Sequence, residues 1–148
     1  INEEPFLIEY NVRMGDPECQ TILPKLKTDF SMIIKKCIEQ KLHDLDIEWY
    51  DDKSICIVLC SKGYPDTYKN NVALDLKKLN LEKNQFIFHA GTKISDNIIV
   101  SNGGRVLNVV TRSSNFKSAR ESSLRLLSEI NWDNGFYRKD IGYKVIQE

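Results

Sequence analysis

Near the amino end of the 148-residue chain, Glu9, Asn11 and Arg13 stand two residues apart and offer a carboxylate, an amide oxygen and a guanidinium. Side chains two apart on a strand point the same way, so an extended backbone here would aim all three groups at one place. A charged carboxylate and a neutral amide are the hard oxygen donors that Mg²⁺ takes, one or two from protein and the rest from water and phosphate. Arg13, farther along, can hold a phosphate oxygen through its planar fork and stabilise charge as a phosphoryl group transfers. Glu-x-Asn-x-Arg therefore fits nucleotide chemistry. The same alternation also fits a half-exposed strand with a solvated face, so the triplet alone leaves both readings open.

Other reactive side chains read more plainly. Cys19, Cys37, Cys56 and Cys60 form no closely spaced zinc pair and follow no secretory segment, which predicts reduced thiols in a cytoplasmic protein. Cys56 and Cys60 flank Ile57-Val58-Leu59 and read as small buried hydrophobes rather than nucleophiles. His89 closes an apolar run with no partner visible in the sequence and reads as a structural imidazole rather than a base.

The elements that must position these groups follow from periodicity. Residues 5–13 alternate, with Phe6, Ile8, Tyr10 and Val12 on one face, and predict a strand broken by Gly15-Asp16-Pro17. Thr28 and Asp29 predict the cap of a helix whose apolar stripe, Phe30 through Leu45, should cover a core. Two strand-like runs around Asp51-Asp52-Lys53 predict a hairpin ending near Ser61, and residues 66–84 an irregular connection. Strands are predicted at Gln85–His89, Ile98–Ser101 and 105–112, the last two joined as a hairpin across Asn102-Gly103-Gly104. Ser114 predicts the start of a second helix with Phe116, Ala119, Ser123, Leu126, Leu127 and Ile130 on one stripe, followed by a strand-like tail. The sum is an α+β fold, a mostly antiparallel sheet of short strands with two main helices.

Composition bounds the class. With 41% apolar and 28% charged residues, and 21 basic against 21 acidic, the chain is neither disordered nor membrane-spanning, and it carries no global charge for nucleic acid or anionic lipid. The length fits one ordinary domain. A chain that opens at Ile1 and runs straight into Pro5-Phe6-Leu7-Ile8 is expected to be a fragment of something longer.

The run from Glu9 to Gln20, Glu-Tyr-Asn-Val-Arg-Met-Gly-Asp-Pro-Glu-Cys-Gln, closely resembles the signature of the glycinamide ribonucleotide synthetase (phosphoribosylamine-glycine ligase) family of ATP-grasp enzymes. The resemblance continues in Gly63-Tyr64-Pro65, Phe88-His89-Ala90-Gly91-Thr92, Asn102-Gly103-Gly104-Arg105-Val106-Leu107-Asn108-Val109 and the run from Phe136 to Tyr143, in order along nearly the whole chain. Met14 stands where the family has Phe or Leu, a change a flexible apolar side chain absorbs.

What the resemblance implies is a ligase of purine biosynthesis that joins glycine to 5-phosphoribosylamine, with ATP cleaved to ADP and phosphate by way of a glycyl phosphate. It implies that Glu9 and Asn11 bind Mg²⁺ or Mn²⁺, that Arg13 faces the transferring phosphate, and that Asp16 contacts the phosphoribosyl substrate and helps orient its amine. An Asp-Pro turn cap remains an equal reading of Asp16. Arg105 and Lys93, each following a glycine-containing turn, are candidates for the ribose phosphate, although a surface hairpin cation fits both positions. The resemblance divides the chain into the end of an ATP-grasp domain with its metal-binding strand, 1–27, and the C-terminal domain of the ligase, 28–148. The sequence holds no glycine-rich phosphate loop, so the 148 residues are expected not to catalyse ligation by themselves, and the N-terminal part of the same enzyme is an expected partner. A non-catalytic binding module that retains the ligase-like C-terminal domain is a second reading; an ATP-grasp ligase or carboxylase with another acceptor shares the Glu-x-Asn-x-Arg strand but does not explain Gly15-Asp16-Pro17-Glu18 and the downstream runs.

Overall fold

The computed structural model describes residues 5–10 and 12–146. Four strands, β1 (Lys53–Ser61), β2 (Gln85–His89), β5 (Arg105–Ser113) and β6 (Gly135–Phe136), form an antiparallel sheet in the order β2-β5-β1-β6. β3 (Thr92–Ser95) and β4 (Ile98–Ser101) form a separate two-stranded hairpin. Three α-helices accompany them: α1 (Glu18–Ile22), α2 (Phe30–Ile38) and α3 (Phe116–Ile130). The fold is α+β, as the patterning predicts.

The core lies between one face of the β1/β5 pair and α3. Alternation sends Ile55, Ile57 and Leu59 of β1 to the face shared by Leu107 and Val109 of β5, where the α3 residues Ala119, Leu126, Leu127 and Ile130 bury against them. Every residue of the predicted α3 stripe except Phe116 is buried. The helix begins one residue later than expected, because the Asn115 side chain, not Ser114, accepts the Ser118 amide at 2.8 Å. It ends at Asn131, whose φ of +43° is the left-handed stop that Asn tolerates. The other face of β1/β5 is covered by α1, where Thr21 sits against the Cys56 thiol.

Several sequence expectations give way. Residues 5–10 and 12–14 are not strand, and Phe6, Leu7, Ile8, Tyr10 and Val12 are exposed; a strand needs a neighbour for its amides and carbonyls, and alternation supplies none. α2 forms, capped by Asp29, whose carboxylate accepts from the Ser31 hydroxyl at 2.6 Å and amide at 2.7 Å; those bonds hold its pKa below the usual carboxylate range. The helix buries no residue, however, and a 3₁₀ turn at Leu42–Asp44 continues the predicted span. The first half of the hairpin expected around Asp51-Asp52-Lys53 is not a strand. Residues 48–50 pair instead with 25–28, through Lys27 to Glu48 at 3.0 Å and Tyr50 to Lys25 at 2.7 Å.

The hairpin expected across Asn102-Gly103-Gly104 is also absent, since β4 pairs with β3 and β5 with β1 and β2. The true tight turn is Asp96-Asn97, with φ of +50° and +62°, the two positive values that a primed turn between twisted strands requires. The tail is a two-residue strand, β6, followed by a 3₁₀ turn at Tyr143–Val145.

Candidate functional site

The segment Gly15 to Thr21 is a tight turn running into α1, and its spacing has local causes. The Glu18 carboxylate reaches back to the Gly15 amide at 2.6 Å, and the Cys19 amide donates to the Gly15 carbonyl at 2.9 Å. Glu18 thus closes the turn in the manner of a capping box. The Thr21 hydroxyl and amide donate to the Pro17 carbonyl at 2.8 and 3.2 Å. Four residues apart on this helical turn, the Gln20 amide donates to Asp16 Oδ1 at 3.0 Å. The other carboxylate oxygen, Oδ2, lies 3.0 Å from Arg105 Nη2, and Arg105 Nη1 donates to the Asp16 carbonyl at 3.2 Å. One side chain, 89 residues away in sequence, therefore grips Asp16 by both its carboxylate and its backbone.

A bulge puts Arg105 in reach. Pairing of β1 with β5 steps from Leu59–Leu107 to Cys60–Arg105, leaving Val106 as the extra residue. Strict alternation would send Arg105 to the side of Leu107 and Val109, into the core under α3. With the step, Val106 is buried in that core and Arg105 emerges beside α1, its side chain 42% exposed.

Glycines pack the surrounding loops together. The Gly91 amide donates to the Arg105 carbonyl at 2.7 Å, and a Cβ at Gly91 would lie 2.6 Å from that oxygen. Asn102 donates to the Gly91 carbonyl at 2.8 Å. A methyl group at Gly104 would collide with the Tyr64 ring, while Ser61 donates its amide to the Gly104 carbonyl at 2.8 Å and its hydroxyl to Gly103 at 3.1 Å. Four motifs scattered along the sequence, around residues 16, 64, 91 and 104, thus meet at one place. The meeting could not be read from the sequence, although the four-residue interval between Asp16 and Gln20 was a visible signal.

The other expected site residues are not joined to that pair. Glu9 is exposed on the irregular amino-terminal segment, and Asn11 lies outside the described residues. Arg13 donates to the Met14 carbonyl at 3.0 Å and, with Val12, Met14 and Glu18, lines a hollow of about 440 Å³. Lys93 stands exposed on β3, opposite Val100. His89 has its Nδ1 2.9 Å from the Thr92 hydroxyl, in keeping with a structural role. Among the described residues, neither Glu9, Arg13 nor Lys93 hydrogen-bonds to Asp16 or Arg105. Burial pushes the Cys56 thiol up to about 12, and the nearby Asp16 charge adds to the effect against the Thr21 hydrogen bond. Cys60 is raised as well, by burial opposed by the Arg105 charge. Both thiols are protonated at neutral pH and are not nucleophiles.

The fold agrees with comparisons to known proteins. Residues 54–144 match the family model described as phosphoribosylglycinamide synthetase, C domain. The chain is 45% identical over 139 residues to a phosphoribosylamine–glycine ligase of Caldanaerobacter subterraneus, covering 94% of this chain and 33% of that protein. It is 40% identical over 147 residues to the trifunctional purine biosynthetic protein adenosine-3 of Gallus gallus, covering 96% of this chain and 14% of that one. A crystal structure of phosphoribosylamine–glycine ligase from Thermotoga maritima superposes with a TM-score of 0.67 at 27% identity, over 93% of this chain and 33% of that one. The chain thus spans about a third or less of the proteins it matches. With the family model matched over more than half of its 148 residues, the chain belongs to the phosphoribosylglycinamide synthetase C-domain family.

Proposed function

We propose that the chain is part of an enzyme that joins glycine to 5-phosphoribosylamine, yielding glycinamide ribonucleotide, ADP and phosphate in purine biosynthesis. The glycine carboxylate attacks the terminal phosphorus of ATP and ADP leaves. The substrate amine then attacks the glycyl phosphate carbonyl, phosphate leaves, and the amine gives up a proton. The observation that carries this reading is the Asp16–Arg105 pair, which unites two separate family motifs at 3.0 Å. Residues 1–27 belong, on this reading, to the end of the ATP-grasp domain and 28–148 to the C-terminal domain. The pair then bridges the two, and domain boundaries are where substrate clefts form.

Arg105 offers a partly exposed, forked cation for the ribose phosphate, and the Asp16 carboxylate accepts from the substrate amine or ribose hydroxyls. Lys93 remains a second candidate for phosphate, and Arg13 for the phosphate being transferred. Glu9 and Asn11 are a donor set of hard oxygens suited to Mg²⁺ or Mn²⁺, and the exposed Glu9 carboxylate is open to such an ion. When bound, the ion neutralises the terminal phosphates of ATP. The free thiols suit a reducing, cytoplasmic setting. Among the described residues, no helix is long and apolar enough to cross a membrane.

The test is E9Q in the full-length enzyme, followed by glycine- and phosphoribosylamine-dependent ADP release. Turnover should fall roughly a hundredfold, the scale of losing one charge-stabilising group. Unchanged turnover removes the metal role, and ADP release that ignores both acceptors removes the ligase reading.

A further inference from the structure

Among the described residues, Gln20 makes one side-chain hydrogen bond, to Asp16 Oδ1, and its own Oε1 is buried with no protein partner. A carboxylate can only accept, so the amide must turn its N–H₂ toward Asp16 and its oxygen into the protein. A buried orphan acceptor costs stability, and an apolar side chain of the same length would avoid that cost. What the amide engages here is the Asp16 carboxylate. With Gln20 on Oδ1 and Arg105 on Oδ2, both oxygens are held and the carboxylate has one orientation.

We propose that Gln20 is a positioning residue, which locks the Asp16 carboxylate so that it and Arg105 present a fixed acceptor-and-cation pair to a sugar phosphate bearing an amine. This rests on the substrate-binding role given above to Asp16 and Arg105. Gln20 itself need touch no substrate. Its effect is to hold Oδ1 away from Arg105, so that the guanidinium keeps one carboxylate oxygen on Nη2 and the Asp16 carbonyl on Nη1 and the pair has a single geometry.

The experiment uses the full-length enzyme carrying Q20M, D16A, R105A and the double variant D16A/Q20M, with thermal melting and separate kinetics for each substrate. Q20M should raise the KM for phosphoribosylamine by about tenfold, the scale of one hydrogen bond to a charged group. The KM values for ATP and glycine should stay unchanged, and the melting temperature should be unchanged or raised. In the D16A background, Q20M should add no further loss, because a residue acting through Asp16 has nothing left to act on. A melting temperature that falls with all three KM values rising together, or a loss that multiplies in the double variant, overturns the proposal and makes Gln20 structural. If D16A and R105A themselves leave the phosphoribosylamine KM unchanged, the substrate-binding reading fails. If they raise it and Q20M does not, only the role of Gln20 fails.

Discussion

Arg105 and Asp16 are each about 42–43% exposed, so their pairing is screened and contributes ~0–1 kcal/mol to stability. Their importance is in where they place charge. The thiols beside them illustrate the opposite case, in which burial is the largest influence. Cys56 is pushed from an ordinary 9.0 to about 12, so its thiolate is suppressed at neutral pH, whereas Cys37 is exposed on α2. Iodoacetamide at pH 8, followed by peptide mass spectrometry, should label Cys37 and leave Cys56 unmodified in the native protein. Equal labelling rates would contradict the packing of α1 on β1. The same shift has a sign in stability: the folded thiol holds its proton where the unfolded one has lost it. The contribution is complete below pH 9 and is lost as pH rises from 9.0 toward 12, visible as a melting temperature that drops over that window.

At the scale of elements, α3 and α2 make an instructive pair. Both carry an apolar stripe at helical spacing and both form, yet α3 is buried along its stripe and α2 buries nothing. Periodicity states which face an element offers to a core, not whether a core lies opposite. The residues 47–52 show the same limit. They lie where Arg112 of β5, buried at 7% side-chain exposure, stacks over the Tyr50 ring at 3.9 Å and comes 3.8 Å from Asp52. A tertiary cation–ring contact holds that stretch beside the sheet in place of the local hairpin that its turn residues suggested. Glycine runs are ambiguous in the same way: Asn102-Gly103-Gly104 has the look of a hairpin turn, but its glycines serve close approach between loops of the one chain. Gly104→Ala would drive a methyl group into the Tyr64 ring and should destabilise the protein by about 1–3 kcal/mol in denaturant unfolding. On the proposed role of Arg105, which follows directly, the same variant should also weaken phosphoribosylamine binding in the full-length enzyme. A fully stable G104A protein would mean that the Tyr64 loop is not packed as described.

For the whole molecule, the chain amounts to about a third of the single-function relatives it matches, and its sequence contains no glycine-rich phosphate cradle. The 148 residues by themselves should therefore form no ADP from ATP, glycine and phosphoribosylamine, assayed by coupled ADP detection. Robust ADP formation by the isolated chain would falsify that expectation.

Alternation and helical period along the chain were enough to determine the α+β class, the strands at Gln85–His89 and Ile98–Ser101, and the buried stripe of α3, since these follow from local spacing and from which side chains avoid water. The motif residues were equally legible, but only as separate words. Their meeting was decided in three dimensions: a single-residue bulge at Leu59/Cys60 turns Arg105 out of the core, and glycines at 91 and 104 let the loops close around it. A bulge depends on the register between two strands 45 or more residues apart, and such long-range pairing energies leave no periodic trace in either strand alone.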